Sequence, residues 1–324
     1  MMNPRLLKLA IRAKRASDFV TAKTLFGLLR ILKLLPADAG LALADRAARL
    51  LGPFSSRHDL AKRNLARAFP EKDAAWVEAT ARANWGQMGR IAAEFVYLDD
   101  LFDFDPDKPG EGRIEVVGVE TFLELRERKG PFIFFTGHLG CFELLPIGAA
   151  AYGLEFTALF RQPNNIYVAK RVQAARHTAG GHLIPSKAGA VWSLAGILKG
   201  GSSVGALVDQ KFGKGVSTTF FGLPVKTNPL LPKLARQYEA EVYPARCIRL
   251  SGGRYRLELQ PRLDLPRDAS GAVDIDASCQ ALNDVVEGWV REHPDQWMWF
   301  HDRWQIMGKR KAKSHNPSKP KGSK

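Results

Sequence analysis

The chain has 324 residues, of which 45% are hydrophobic and 25% are charged, as is ordinary for a globular protein. This length suffices for one large α/β domain or two modest ones. Its three cysteines form no CxxC pair, which excludes a disulfide framework and argues against a zinc site, whereas the net charge of +15 is unusual.

Residues 1–37 are predicted to anchor the protein at a membrane surface. Residues 1–35 carry a net charge of +7, and polybasic segments are attracted to anionic lipid by about 1 kcal/mol per Lys or Arg close to the surface. The stretch Phe19–Leu35 is apolar but contains three Lys or Arg residues, so it fits a basic amphipathic helix in the interface better than a membrane-spanning helix. A single N-terminal span and a helix packed on the body remain alternatives. We recognise no cleavable signal peptide.

Residues 38–308 are predicted to form one domain with two parts. Residues 38–102 are rich in Ala, Leu and Arg and predict helices, including one over Asp73–Tyr97. The Pro-, Gly- and Asp-rich connection Asp103–Gly112 then separates this helical part from an α/β part over residues 113–308.

The α/β part alternates predicted strands with predicted helices. The strands are Ile114–Val117, Phe132–Thr136, Phe156–Phe160, Ser203–Val208, Glu241–Ile248 and Tyr255–Leu259. The helices are Val119–Lys129, Phe142–Tyr152, Ala169–Ala179, Ala188–Lys199, Pro229–Glu239 and Asp276–His293. Because strands separated by helices of this length pair in parallel, we predict an α/β fold with a mostly parallel sheet flanked by helices.

The chain ends in a basic segment. Residues 309–324 carry a net charge of +7 without a single acid and are predicted to be a disordered tail. Attraction to a membrane surface and a non-specific nucleic-acid arm are both open for this tail, and we expect no specific nucleic-acid partner.

One motif combines chemistry with a suitable position. In Phe132–Glu143, an apolar strand is followed by Gly137, by His138 and, five residues later, by Glu143 at the start of an apolar helix. Open α/β sheets bind ligands beyond the carboxyl ends of their strands. An imidazole at such a place can take a proton from a hydroxyl, while a carboxylate fixes its tautomer. A structural, hydrogen-bonded histidine is the alternative.

Two other candidate sites carry less chemistry. Cys141 lies three residues after His138, but a small buried thiol fits better than a nucleophile because no Cys–His family signature surrounds it. His177 and His182 lack a nearby third ligand type. We therefore predict neither a metal nor another cofactor.

The motif Gly-His-Leu-Gly-Cys-Phe-Glu resembles that of the lipid A acyltransferase (lauroyl/myristoyl transferase) branch of the glycerolipid acyltransferase superfamily, in which His-x4-Asp/Glu is the signature. Further segments resemble blocks of that branch and extend the resemblance over roughly residues 20 to 306. These segments are Arg63-Asn64-Leu65, Ala68-Phe69-Pro70, Phe160–Asn165, Asp209-Gln210, Phe220–Pro224, and Glu287 with the residues from Pro294 to Trp304.

The resemblance implies transfer of a fatty acyl group from acyl carrier protein to a hydroxyl of a phosphorylated lipid A precursor. It places the enzyme at the cytoplasmic face of the inner membrane. An acyltransferase for a glycerophospholipid or another glycolipid is the rival within this chemistry. A non-enzymatic basic protein that binds a membrane or nucleic acid through its two ends is the rival outside it.

Roles for individual residues follow from this chemistry. We predict His138 as the general base and Glu143 as its orienting partner. The tetrahedral oxyanion needs a donor, which Arg161 or backbone N–H groups near Gly140 can supply, and Arg161 can instead hold a phosphate. Asp209 can orient Arg161 or another cation. Asn164 and Gln210 complete the candidates for substrate binding.

A basic belt follows the motif. Residues 161–236 contain eleven Lys or Arg residues, and Asp209 is their one acid. Such a surface suits a phosphorylated acceptor or an acidic carrier protein, although some of these side chains are expected only to face solvent.

Overall fold

The computed structural model describes residues 4–105, 108, 110–154, 156–160, 163, 165–169, 182–186 and 189–305. The basic tail predicted for residues 309–324, the candidates Arg161 and Asn164, and most of the helix predicted over Ala169–Ala179 lie outside the described residues.

Four helices precede the first strand. They are α1 (Pro4–Leu32), α2 (Ala37–Leu51), α3 (Ser56–Ala68) and α4 (Ala74–Leu101), with a short 3-10 turn, Gly52–Phe54, after α2. Side chains cap two of them: the Ser55 hydroxyl accepts a hydrogen bond from Arg57 N, and the Asp73 carboxylate accepts one from Trp76 N. Over the described residues, no helix combines the length and the apolar character needed to cross a membrane.

Strands and helices alternate after residue 113. The strands are β1 (Ile114–Val117), β2 (Phe132–Thr136), β3 (Phe156–Phe160), β4 (His182–Pro185), β5 (Ser203–Leu207), β6 (Val216–Phe220), β7 (Leu223–Thr227), β8 (Glu241–Arg249) and β9 (Tyr255–Leu259). The helices are α5 (Val119–Glu127), α6 (Leu144–Ala151), α7 (Ala190–Lys199), α8 (Leu230–Tyr238) and α9 (Ile275–Glu292).

Seven of these strands form one sheet in the order β1-β9-β8-β2-β5-β3-β4. All neighbours in this sheet pair in parallel except β8 and β9, which are antiparallel. Strands β6 and β7 form a separate antiparallel hairpin. The predicted α/β fold with a mostly parallel sheet is therefore confirmed.

The two faces of the sheet pack differently, because alternate side chains of a strand point to opposite faces. Ile133, Phe135 and Val204 face a cluster of buried residues that includes side chains of α7, α8 and α9. On the other face, Phe134 joins a smaller cluster that includes side chains of α5 and α6, and a cavity remains there.

The structure adds three strands that the sequence analysis did not predict. Strand β4 has only four residues and contains a proline, and the hairpin β6–β7 alternates small polar residues with apolar ones around a tight turn. Both patterns resemble loops when pairing partners are unknown.

Candidate active site

The strand register brings His138 and Asp209 together. Strands β2 and β5 are neighbouring parallel strands in which Thr136 pairs with Leu207. The amide of Val208 donates to the carbonyl of Thr136 over 3.0 Å and extends this register beyond the strands. His138 and Asp209 each lie two residues past that pair, so they meet at the carboxyl edge of the sheet.

Asp209 holds the imidazole of His138 by two hydrogen bonds. Nδ1 lies 2.7 Å from Oδ1 of Asp209, and the backbone amide of His138 donates to Oδ2, also over 2.7 Å. An ionised carboxylate can only accept hydrogen bonds, so Nδ1 carries the proton and Nε2 keeps its lone pair. This tautomer is the one that a general base requires.

Asp209 stays ionised although it is only 3% exposed. Burial by itself raises a carboxyl pKa, but His138 and the indole N–H of Trp297 lower the pKa of Asp209 well below its ordinary value. The Trp297 indole donates to Oδ2 over 2.7 Å. Asp209 thus combines a fixed position with a full negative charge beside the imidazole.

Gln210 lies on the other side of the ring. Its Nε2 is 3.1 Å from Nε2 of His138, so the side-chain amide donates to the unprotonated ring nitrogen. The backbone carbonyl of Gln210 accepts a hydrogen bond of 2.9 Å from the buried guanidinium of Arg303. Arg303 also bonds to the Lys226 carbonyl and to Asn283, and so ties the segment after β5 to the hairpin and to α9.

The segment of residues 294–304, which we call the C-terminal block, runs alongside the residues after β2. Leu139 and Trp297 form an antiparallel bridge, and the amide of Met298 donates to the His138 carbonyl over 3.1 Å. The amide of Gly140 donates to the Gln296 carbonyl over 3.1 Å. Because the Gly140 amide already donates to a carbonyl of the protein, it is not available as a donor to the oxyanion.

Two buried asparagines fix the C-terminal block from the helical part. Asn84 of α4 donates to the carbonyls of Asp295 and Trp297, at 2.8 and 2.5 Å. Asn64 of α3 donates in the same way to the carbonyls of Trp299 and His301, at 2.8 and 2.9 Å. These four bonds connect the N-terminal helices to the support of the imidazole.

Gly140 makes close packing possible at the turn after His138. It has a positive φ of 54°, and a Cβ built there would lie 1.9 Å from the carbonyl oxygen of Cys247 on β8. Any side chain at this position would push the turn away from the sheet and disturb the residues on both sides of it.

A buried ion pair lies beneath this turn. Glu94 of α4 and Arg249 of β8 are joined at 2.7 and 2.5 Å, and the hydroxyl of Tyr255 donates to Glu94 over 3.0 Å. Burial would raise the pKa of Glu94, but the Arg249 guanidinium holds it below the ordinary value. Gln296 exchanges two hydrogen bonds with the Arg249 backbone, at 2.8 and 2.9 Å, which links the pair to the C-terminal block.

An apolar cavity of about 230 Å³ opens next to His138. Its walls come from β2, β3 and β5 on one side and from α5 and α6 on the other, and small residues such as Ala158 and Gly205 leave the space. The polar side chains among the lining residues are Thr136, His138 and Glu143. An apolar chain can therefore lie in the cavity with its polar end at the imidazole.

The predicted site residues are only partly brought together. His138, Asp209 and Gln210 are in direct contact, and Glu143 lines the same cavity as His138. The carboxylate that holds Nδ1 is Asp209, for which we had predicted a contact with Arg161 or another cation, whereas we had predicted Glu143 for the imidazole. A catalytic role for Glu143 stays a prediction, as do the roles of Arg161 and Asn164, which lie outside the described residues.

Other groups around the site do not favour alternative chemistry. The thiol of Cys141 is buried, as predicted, and burial raises its pKa well above the ordinary value, which disfavours the nucleophilic thiolate. Within the described part of the chain, no group of three or more His, Cys, Asp or Glu side chains is arranged to hold a metal ion.

The residues that support the imidazole are not evident from the sequence. Nothing in the spacing of Asn84, Glu94, Arg249 and Trp297 marks them as supports of the segments around His138. The one available signal was the resemblance of the Pro294–Trp304 segment to a family block. This resemblance indicates that the segment matters, but it does not indicate which residues the segment contacts.

Comparisons with known proteins agree with this geometry. Residues 14–306 match the family described as bacterial lipid A biosynthesis acyltransferase. The chain is also 24% identical over 243 residues to a lipid A biosynthesis acyltransferase of Haemophilus influenzae, an alignment that covers 74% of this chain and 73% of that protein. Since the family match spans most of the chain, the chain belongs to the bacterial lipid A biosynthesis acyltransferase family.

Proposed function

We propose that the protein transfers a fatty acyl group from the thioester of acyl carrier protein to a hydroxyl of a phosphorylated lipid A precursor. Family membership supports acyl transfer in lipid A synthesis. The observation that carries the finer proposal is the imidazole of His138, held by Asp209 at the opening of the apolar cavity.

His138 acts as the general base. Its Nε2 takes the proton of the acceptor hydroxyl as the hydroxyl oxygen attacks the thioester carbonyl. When the tetrahedral intermediate collapses, the carbon–sulfur bond breaks and the imidazolium returns the proton to the departing thiolate. Asp209 stabilises the imidazolium in between, since its full charge lies 2.7 Å from Nδ1. A thioester is already activated, so no acyl-enzyme is required.

Gln210 stabilises the oxyanion. Its amide N–H group lies 3.1 Å from Nε2 of His138, and the acceptor hydroxyl takes its place at this nitrogen. The displaced amide then donates to the oxyanion that forms beside it, while the bond from Arg303 to the backbone carbonyl of Gln210 holds the main chain in place. Arg161 is the second candidate for this task, or holds an acceptor phosphate.

Glu143 contributes at the same opening. It lines the cavity with His138 and adds negative charge on the side from which the acceptor approaches. We propose that it helps to orient the acceptor hydroxyl toward Nε2 and supports the charge that develops on the imidazole.

The fatty chain lies in the cavity, and the carrier protein binds outside it. Apolar walls exclude water from the thioester and favour a hydrocarbon chain. Lys211 and Lys214 are exposed just after Asp209, and cations there attract an acidic carrier or a phosphate.

The reaction takes place at a membrane. The acceptor is a lipid, and residues 1–35 combine a net charge of +7 with exposed apolar side chains such as Leu28 and Ile31. We propose peripheral association with the cytoplasmic face of the inner membrane. A glycerophospholipid or another glycolipid acceptor remains the alternative.

The test is a reconstituted reaction followed by mass spectrometry of the lipid product. Purified protein receives acyl-carrier-protein or acyl-coenzyme A thioester, and a lipid A precursor or a glycerophospholipid as acceptor. We expect one added acyl ester on the lipid A precursor, with a higher kcat/KM for the carrier-protein donor.

The alternatives give distinct outcomes. An acyl ester found only on the glycerophospholipid would show that the acceptor is a glycerophospholipid and not a lipid A precursor. Equal kcat/KM for both donors would contradict the proposed preference for acyl carrier protein. Absence of transfer under all four combinations would contradict the proposed reaction.

A further inference from the structure

Helix α2 and the 3-10 turn after it carry an exposed apolar surface that neither the reaction nor the N-terminal helix accounts for. Leu43, Leu50, Leu51 and Phe54, which we call the α2 surface, are 51%, 68%, 64% and 86% exposed. Leu43 and Leu50 lie on one side of α2, because residues seven apart on a helix point in nearly the same direction, while Leu51 ends α2 and Phe54 lies in the 3-10 turn that follows it. Four large exposed apolar side chains within residues 43–54 are more than the scattered exposure of a soluble surface.

The packing of α2 fixes this surface outward. The opposite side of α2 lies against α4, and it does so closely: a Cβ built on Gly89 would lie 2.4 Å from the Ala44 carbonyl oxygen. Leu41 on this inner side is only 1% exposed. Rotating the helix to bury Leu43 or Leu50 would remove Leu41 from the core, so their exposure belongs to the fold.

The charges of α2 favour an anionic partner surface. Both of its acids are neutralised by residues of the body, Asp38 by Arg113 at 2.5 Å and Asp45 by Arg90 at 3.2 Å. The exposed cation Arg46 lies between Leu43 and Leu50 along the stripe. An apolar stripe with a cation among its members is typical of a helix that lies in a lipid interface.

Exposed apolar residues also lie at the end of α1 and in the link to α2. Ile31 and Leu34 are 65% and 82% exposed. The hydroxyl of Tyr97 on α4 donates to the carbonyl of Leu32 and lies 3.3 Å from that of Leu35, so it holds the junction of α1 and α2 in place. The direction in which α1 leads into α2 is therefore fixed by α4.

We infer that the α2 surface inserts into the interface of an anionic lipid bilayer and forms, together with the end of α1, the membrane-docking side of the protein. A fixed helix sets the orientation of the body on the bilayer, which a single terminal helix does not. The inference rests on the proposed peripheral association with a membrane but not on the acyl transfer, because docking is measured without turnover.

Site-specific fluorescence tests the insertion in the full-length protein. The three native cysteines are buried, so a Phe54→Cys variant offers an accessible thiol for an environment-sensitive fluorophore. On vesicles of phosphatidylglycerol and phosphatidylethanolamine, we expect its emission to shift to the blue and to be quenched by acyl-chain quenchers. The matched control is Ala269→Cys, an exposed position between β9 and α9, for which we expect neither change.

Unchanged emission at position 54, while the labelled protein cosediments with the vesicles, would overturn the inference. So would equal quenching at position 269, since the label would then report contact without orientation.

Vesicle partitioning tests the contribution of the surface to binding. We expect Leu43→Ser/Leu50→Ser/Phe54→Ser to lower the partition coefficient at least ~10-fold, because three apolar side chains no longer enter the interface. The control Val117→Ser/Leu123→Ser removes exposed apolar side chains elsewhere and should leave the partition coefficient unchanged. Circular dichroism confirms that each variant is folded.

A second copy of this chain is the competing occupant. If the wild-type protein dimerises without lipid, and the triple variant is monomeric yet binds vesicles as before, the surface is an interface between copies and the inference is wrong.

Discussion

The apolar cavity and the C-terminal block lie on different sides of the same imidazole and are built in opposite ways. The block is dense: Trp297 and Trp299 are at most 1% exposed, and their ring centroids lie 4.7 Å apart. Its backbone carbonyls bond to Asn64 and Asn84. The cavity, in contrast, is an unfilled space of about 230 Å³ with apolar walls.

This difference assigns a physical task to each region. Acyl transfer needs Nε2 of His138 fixed within a fraction of an ångström, which the Asp209 contact and the hydrogen-bonded block provide. It also needs room for a long apolar chain, which only unfilled space provides. Substitutions in the C-terminal block should therefore leave the acyl chain-length preference unchanged, and substitutions in the cavity should leave the position of the imidazole unchanged.

The largest expected effect is on stability, from the buried pair beneath the site. Arg249→Met leaves Glu94 buried without its cation, and removing one partner of a buried pair costs about 3–5 kcal/mol of unfolding free energy. Urea denaturation measures this loss. The double variant Arg249→Met/Glu94→Met removes both charges and should recover most of it, and a double variant as unstable as the single one would contradict the pairing.

Next comes the loss of the base itself. His138→Asn keeps an N–H group near Asp209 but removes Nε2, so we expect kcat to fall at least ~100-fold with little change in unfolding free energy. Glu143→Ala should lower kcat by a similar factor. Steady-state acyl transfer measures both, with His182→Ala as the control, since His182 is an exposed histidine of β4. Near-wild-type turnover of His138→Asn would exclude it as the base.

The cavity should respond in selectivity. Ala158→Leu extends a side chain into the cavity and should shift the preferred acyl chain to a shorter length, with several-fold changes in relative kcat/KM. The opposite face of the sheet supplies the comparison: Ile133→Val should cost about 1 kcal/mol of unfolding free energy and leave chain-length preference unchanged. Competition between thioesters of different length measures the preference. If both variants keep the wild-type chain-length preference, the acyl chain does not bind in this cavity.

The smallest expected effect is a pH dependence in the C-terminal block. His301 accepts a hydrogen bond of 3.0 Å from the Lys211 amide, and burial lowers its pKa from 6.5 to about 4. As the pH falls, His301 is therefore protonated in the unfolded chain before it is protonated in the folded protein. The contribution of neutral His301 to stability is complete above pH 6.5 and is lost as the pH falls toward 4. The unfolding free energy of His301→Gln should change less than that of the wild type between pH 7 and pH 4.5. Equal pH dependence in the two proteins would exclude a neutral, half-buried His301 in the folded wild type.

Much of the fold followed from local patterns. Strand β2 is a run of apolar residues ended by a glycine, and its bounds were predicted as Phe132–Thr136. Strand β4 and the hairpin β6–β7 were not predicted, because their stability comes from pairing and burial that a local pattern does not contain.

The site was less predictable than the fold. The sequence marks His138 as lying past the end of a strand, and Asp209 equally so. Their contact depends on β2 and β5 being neighbours in one register, which the order of strands along the chain does not determine. From the sequence alone, Glu143 is therefore predicted for the bond that Asp209 makes, because it is the nearest carboxylate in the chain.

The central claim is that His138 and Asp209 work as one unit, and a double-mutant cycle on single-turnover acyl transfer tests it most directly. Asp209→Asn removes the charge that stabilises the imidazolium, while His138→Asn removes the imidazole on which that charge acts. Residues that act as a unit are non-additive, so the double variant should be no slower than His138→Asn alone. If the two losses multiply in the double variant, Asp209 acts independently of His138 and the account is contradicted.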